Sequence, residues 1–261
     1  MNVAIHLSGF GERVAMVSAV GRDFLGDELI RRMQERGVDT HYVRRVDLET
    51  GRVVAKLSQA GDATYSILAP VAWDRIVDGP IEPPRRCAGI VFGSLALRSA
   101  ANEAALVKLI NRLPDSAWRV FDVNLRAPHF IRDAVLLRAR DVDLLKVNDE
   151  EAAFLTRGSG ARPEASPEAD ARRLASATGA KRVCVTAGGA GAGLLIHDTW
   201  FWEPSRPVQV ADTVGAGDAF LAALLSKLSA GANPSAALAG ACRVGEFVAS
   251  KRGATPIVKL T

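Results

Sequence analysis

Four short runs of apolar and β-branched residues, GIVFG (89–93), WRVFD (118–122), VDLLKV (142–147) and RVCVT (182–186), constrain this chain most. They alternate with segments of helical pattern near 100–113, 149–155 and 168–178. Runs that are apolar at nearly every position are strands buried on both faces, and buried strands alternating with helices give a mostly parallel sheet covered on both sides. In such sheets ligands bind outside the carboxyl ends of the strands. There the chain carries polar motifs: Asn124 and Arg126 after one strand, Asn148 and Glu151 after the next, Thr186 and Gly188 after a third. The sequence predicts a site along one sheet edge.

Residues 38–70 differ. RVVAKLSQ (52–59) and ATYSILA (63–69), joined by Ala60-Gly61-Asp62, have polar residues at alternate positions, the pattern of a hairpin. They read as an insertion into the core or as a meander at the sheet edge.

With 261 residues, 48% of them hydrophobic and 24% charged, the chain can bury one large core and carry a small appendage. Its 33 basic and 29 acidic residues leave a net charge of +4, and the arginines are scattered rather than striped, so a nucleic-acid partner is not expected. Cys87, Cys184 and Cys242 lie far apart in apolar segments, as buried reduced thiols of a cytoplasmic protein would. Four histidines show no zinc-ligand spacing. No stretch approaches the roughly 18 apolar residues that span a bilayer, and the first residues lack a signal-peptide pattern, so no membrane partner is expected.

Chemistry is most concentrated in Asp212-Thr213-Val214-Gly215-Ala216-Gly217-Asp218-Ala219-Phe220. From Asp218 to Ala230 there is no Gly or Pro, and Phe220, Leu221, Leu224, Leu225 and Leu228 recur at helical spacing. Gly215, Ala216 and Gly217 therefore sit at a helix N-terminus, where outward-facing amides and the positive end of the macrodipole suit phosphate oxygens. Asp218 beside them is placed to act as a general base on a hydroxyl. An ordinary tight turn with a dipole-complementing aspartate would read the same way. No Gly-x4-Gly-Lys-[Ser/Thr] loop occurs, and no run completes Gly-x-Gly-x-x-Gly. Asn148 and Glu151 suit Mg²⁺ held largely through water, and equally a capping box.

This nonapeptide resembles the C-terminal signature of the ribokinase-like, or phosphofructokinase-B-type, carbohydrate kinases. Asn2-Val3-Ala4, Gly11 and Gly21 resemble the family's N-terminal pattern, and FGSLAL (92–97), FDVNLR (121–126), VNDEE (147–151) and VTAGGAGAG (185–193) follow in family order. The resemblance covers nearly the whole chain. It implies an α/β three-layer sandwich with a mostly parallel central sheet, made of residues 1–37 and 71–261, and a small β-lid at 38–70 that also serves dimerisation in the family. It implies an enzyme moving the γ-phosphoryl group of ATP, with Mg²⁺, to a sugar.

By the same resemblance, Asp218 is the base and Gly215 to Gly217 the anion turn. Asn148, Thr186, Gly188, Gly191 and Gly217 would line the nucleotide, and Asn2, Asn124, Arg126 and Asp218 the sugar. Asn148 and Glu151 would serve Mg²⁺, while Asp212 and the Val214 carbonyl match positions that hold a monovalent cation such as K⁺. On the residues alone, Asn124 can start a turn, Arg126 can be a surface residue, Thr186 to Gly191 can be a Gly-rich hairpin, and Asp212 can cap its turn. FGSLAL and FDVNLR are closest to fructokinase-like members, and the Lys-Pro-Asn run of phosphosugar kinases is absent, so an unphosphorylated sugar such as fructose is expected. ATYSI (63–67) lacks the Arg that fructokinases often carry there, which leaves 2-keto-3-deoxygluconate, ribose or a nucleoside as alternatives, and a noncatalytic sugar- or nucleotide-binding paralogue as the rival class. Family members carry some tens of residues before the position of Asn2, so an upstream strand is expected.

Overall fold

The computed structural model describes residues 1–57, 63–76, 81–83 and 86–258. The chain divides into two compact units: residues 1–12, 84–95 and 113–261 form one, and residues 13–83 and 96–112 the other. The first unit opens with helix α1 (Asn2–Gly9).

In the second unit, β1 (Ser18–Gly21) pairs in parallel with β2 (Val43–Val46), and helix α2 (Phe24–Glu35) lies between them in sequence. Asp23 starts α2: its Oδ1 accepts the Gly26 amide at 2.8 Å and the Thr50 hydroxyl at 2.6 Å, and its Oδ2 accepts the Thr50 amide at 2.8 Å. The Gly21 amide donates to the same hydroxyl at 2.9 Å, so one cap joins a strand end, a helix start and residue 50. β3 (Val53–Leu57) and β4 (Ala63–Ile67) form an antiparallel hairpin, the small additional sheet that the alternating pattern predicts. The predicted turn Ala60-Gly61-Asp62 lies outside the described residues. Ahead of α3 (Ala100–Ile110), Arg98 clasps Asp74 through two bonds of 2.7 and 2.8 Å.

The first unit is built on a six-stranded sheet in the order β10-β9-β8-β7-β6-β5. β5 (Gly89–Gly93), β6 (Trp118–Asp122), β7 (Leu144–Asn148) and β8 (Arg182–Thr186) are parallel; β9 (Gly191–Ile196) and β10 (Thr199–Pro204) close it antiparallel. Three of the four predicted strands match residue for residue. The third starts two residues late, because the Asp143 side chain takes the Arg119 amide at 2.8 Å where a ladder would continue.

Helices α4 (Arg132–Arg138), α5 (Asp149–Arg157) and α6 (Glu168–Thr178) cover one face, and α7 (Ala216–Ser229) and α8 (Pro234–Ala249) with α1 the other. Neighbouring strand residues point to opposite faces. Val120, Leu144, Cys184 and Leu194 pack with Phe220, Leu224 and Leu238, whereas Phe121, Leu145, Val183 and Leu195 pack with Val135, Leu155 and Leu174. Each such side chain contributes about 1.5–3 kcal/mol on full burial. The result is the expected three-layer α/β sandwich. Burial pushes the thiols of Cys184 and Cys242 up to about 12, which keeps them protonated. Cys87 departs from the expected burial: it is partly exposed, its Sγ 3.3 Å from the Gly89 carbonyl. Among the described residues no helix is long and apolar enough to cross a membrane.

Candidate active site

Helix α7 begins without a side-chain cap. Gly215 precedes it at φ +83°, and a Cβ there would lie 2.3 Å from the Ala254 carbonyl oxygen, so this glycine is needed for the turn itself. The Ala216 amide donates to the Thr213 carbonyl at 3.2 Å. The next amides, of Gly217 and Asp218, belong to the first turn, whose N–H groups have no acceptor within the helix. The Asp218 carboxylate stands here half-buried, and Asn2 Nδ2 donates to its Oδ2 at 2.8 Å. Two signatures separated by 216 residues thus meet side chain to side chain.

The parallel strand ends supply the second group. The Val123 amide donates to the Lys146 carbonyl at 3.0 Å and the Ser94 amide to the Val123 carbonyl at 3.2 Å, which aligns the ends of β5, β6 and β7. Asn124 follows β6 at φ +46°, a strained backbone for a non-glycine residue, and its carbonyl accepts the Ser94 hydroxyl at 3.4 Å. Asn148 caps α5: its Oδ1 accepts the Glu151 amide at 2.7 Å, and Glu151 Oε2 accepts the Asn148 amide at 2.9 Å. The capping box is therefore formed. Glu151 Oε1 also accepts the Leu125 amide at 2.7 Å, so this buried carboxylate ties the β6 loop to α5. Burial outweighs these bonds and raises its pKa.

Between the two groups lie Lys146 and Asp122, 2.9 Å apart and both buried. A Cβ on Gly217 would come 3.5 Å from Lys146 Nζ, so the ammonium lies under the first turn of α7. Burial acts most strongly, to lower the pKa of Lys146, and the charge and hydrogen bond of Asp122 together with the charges of Glu151 and Asp218 outweigh it; the net direction is upward, and the residue is a cation. In the sequence both residues lie inside predicted strands, and no motif there points to a role for either. The available signal is a charge within a run otherwise buried on both faces.

The remaining candidates are spread around this centre. Thr186 ends β8 and donates to the Val147 carbonyl at 3.4 Å. Gly188 has φ +50° and open space where a Cβ would stand, whereas a Cβ on Gly191 would lie 2.2 Å from the Glu203 carbonyl oxygen, so the β9–β10 pairing alone requires that glycine. Arg126 is exposed and donates to its neighbour's carbonyl, that of Leu125, at 3.0 Å. Asp212 accepts the Val214 amide at 3.0 Å and the Gly253 amide at 3.2 Å, closing its turn and holding residue 253 against it. The Val214 side chain is exposed.

The sequence profile of the pfkB family of carbohydrate kinases matches residues 1–259. The chain belongs to that family. A fructokinase of Klebsiella pneumoniae is 29% identical over 238 residues, which are 88% of this chain and 75% of that protein. An aminoimidazole riboside kinase of Salmonella typhimurium is also 29% identical, over 87% of this chain and 72% of its own. In three dimensions the chain resembles an uncharacterized sugar kinase of Pyrococcus horikoshii solved in complex with ATP, with a TM-score of 0.75 and 26% identity over 97% of this chain and 82% of that one. Carbohydrate kinase activity and the ribokinase-like sandwich thus rest on a match that runs nearly the whole length of the chain.

Proposed function

We propose that this pfkB kinase transfers the γ-phosphoryl group of ATP to a hydroxyl of an unphosphorylated, fructose-like sugar, with Asp218 as the general base. The observation that carries the reading is the Asn2–Asp218 bond at an uncapped helix start. Asn2 holds one carboxylate oxygen, which leaves the other to take the hydroxyl proton as the oxygen attacks phosphorus. The bond from the γ-phosphorus to the bridging oxygen breaks as the new O–P bond forms, and ADP leaves with the electron pair. The Gly217 and Asp218 amides face the charge that develops on the transferred group. Asn124 and Arg126 would engage the sugar, and Thr186, Gly188, Gly191 and Asn148 the nucleotide.

Among the described residues no three His, Cys, Asp or Glu side chains group as a metal cage. Glu151 and Asn148 supply one carboxylate and one amide, a donor set that fits Mg²⁺, which keeps several waters and sits on polyphosphate with one or two carboxylates. Glu151, assisted by Asn148, would hold it through water. Bound there, Mg²⁺ would neutralise phosphate charge. Asp212 and the Val214 carbonyl would hold a monovalent cation such as K⁺ beside the anion turn.

The test is a coupled ADP-release screen with MgATP over ketoses, aldoses, ketodeoxy acids and nucleosides. Turnover highest with a ketohexose supports the reading. Turnover confined to ribosides would move the acceptor to that class, and ATP binding without turnover on any acceptor would remove the kinase assignment for this chain.

A further inference from the structure

We infer that the Lys146–Asp122 pair is a positioning element of the phosphoryl-transfer site, holding a fixed positive charge directly behind the turn that starts α7. The inference rests on the kinase reading above and extends it to two residues that reading does not use.

Three observations carry it. The first is place. Lys146 is 7% exposed within β7, where Leu144, Leu145 and Val147 are wholly buried, yet its ammonium does not run out to solvent. It reaches the first turn of α7 at Gly217, where an added Cβ would stand 3.5 Å from the ammonium. The second is charge. Asp122 lies 2.9 Å away, and Asp218 follows Gly217 on the turn that the ammonium approaches. Neighbouring carboxylates repel one another, and a buried cation between Asp122 and the turn that carries Asp218 lets both stand near the site before any ligand arrives. The third is energetic. A buried ion pair is a poor stabiliser, because desolvating two ions costs about what their attraction returns, and well-packed apolar residues of similar volume often serve stability as well or better. A strand whose other buried residues are Leu and Val therefore gains little fold stability from this lysine. Its position under the turn does have a use in transfer chemistry: it sets the place of the Asp218 carboxylate and adds positive potential behind amides that face developing negative charge. Lys146 touches no reacting atom in this arrangement; it acts through Asp122, Asp218 and the turn.

The experiment compares wild type with Lys146→Met and with the double variant Asp122→Asn/Lys146→Met, reading thermal unfolding, ATP affinity by calorimetry, and kcat and KM with the best acceptor from the screen. Lys146→Met strands a buried carboxylate, so a lower Tm is expected for it; the double variant leaves no unpaired buried charge and its Tm is expected to return toward wild type. The positioning role requires that kcat fall by about tenfold or more in both, with KM for the sugar changed by less than about threefold, the split expected when an interaction matters mainly in the transition state. A kcat loss that vanishes as Tm recovers in the double variant would mean the pair is structural only. So would a wild-type kcat in either folded variant. Wild type that binds ATP and turns over no acceptor would instead remove the kinase reading itself, a result visible before any variant is made.

Discussion

Helices α5 and α7 both start beside the carboxyl edge of the sheet, and their first turns are finished in opposite ways. At α5 the cap is reciprocal: Asn148 and Glu151 each accept the other's amide, and the spare Glu151 oxygen accepts the amide of Leu125. At α7 no side chain caps the helix, glycines flank its first residue, and the nearest carboxylate is held by Asn2 instead of by the helix amides. A capped end satisfies its own donors and stabilises the fold. An uncapped one keeps donors for something else. The α2 end, closed by Asp23 on Gly26 and Thr50, belongs with α5.

The comparison breaks most readily at Asp218. Asp218→Asn keeps the hydrogen-bonding shape beside Asn2 and removes the base, so kcat should fall by roughly 10² or more while ATP affinity and Tm stay close to wild type. Sugar-dependent ADP release together with calorimetric ATP titration checks this; equal kcat in the two proteins would take the base away from Asp218.

The two glycines of the turn should separate fold from function. Gly215→Ala forces a side chain onto φ +83° and against the Ala254 carbonyl, and should cost about 1–3 kcal/mol in urea unfolding. Gly217→Ala meets nothing closer than 3.5 Å, so stability should hold or rise by up to about 1 kcal/mol while turnover drops. Equal stability losses at both positions would mean that the turn serves packing throughout.

Glu151→Gln sharpens the contrast from the capped side. A Gln side chain has one acceptor oxygen in place of two, so the amide of Asn148 or of Leu125 loses its partner, at about 1–3 kcal/mol for a buried N–H. The metal reading adds a raised Mg²⁺ requirement for turnover. An Mg²⁺ titration unchanged from wild type, alongside the stability loss, would leave Glu151 a cap and nothing more.

The smallest effect belongs to Asp23. Its hydrogen bonds from Thr50 and Gly26 hold its carboxyl below the ordinary aspartate value. A lowered folded pKa means that the unfolded chain binds the proton more readily, so this contribution is complete above the ordinary value and is lost as pH falls through the folded one. Asp23→Ala should lower stability at neutral pH by about 0.5–2 kcal/mol and flatten the acid limb of the stability curve, with ATP turnover retained. An acid limb identical to wild type would disprove the assignment.

Much of this molecule was legible in its residues because the signals are local. Strands 89–93, 118–122 and 182–186 and helix 168–178 follow from runs whose composition fixes a period, and the start of α7 follows from small residues before an uninterrupted helical pattern. The β10 strand, TWFWEP, carries no such signal, since its pairing with β9 depends on a turn at 197–198 rather than on alternation. Whether Asn148 and Glu151 cap, and why Gly191 must be glycine, is settled only in three dimensions, by the mutual amide bonds of Asn148 and Glu151 and by the carbonyl of Glu203.

The sequence by itself determined the layer architecture and the family, and it pointed to a candidate site at the carboxyl edge, because periodicity and short motifs are properties of neighbouring residues. Only the tertiary structure decided that Asn2 meets Asp218, that Lys146 finds Asp122 and that this cation lies under Gly217. Those pairings join residues 24 to 216 positions apart, and strand order and helix packing set their distances, which no local pattern encodes.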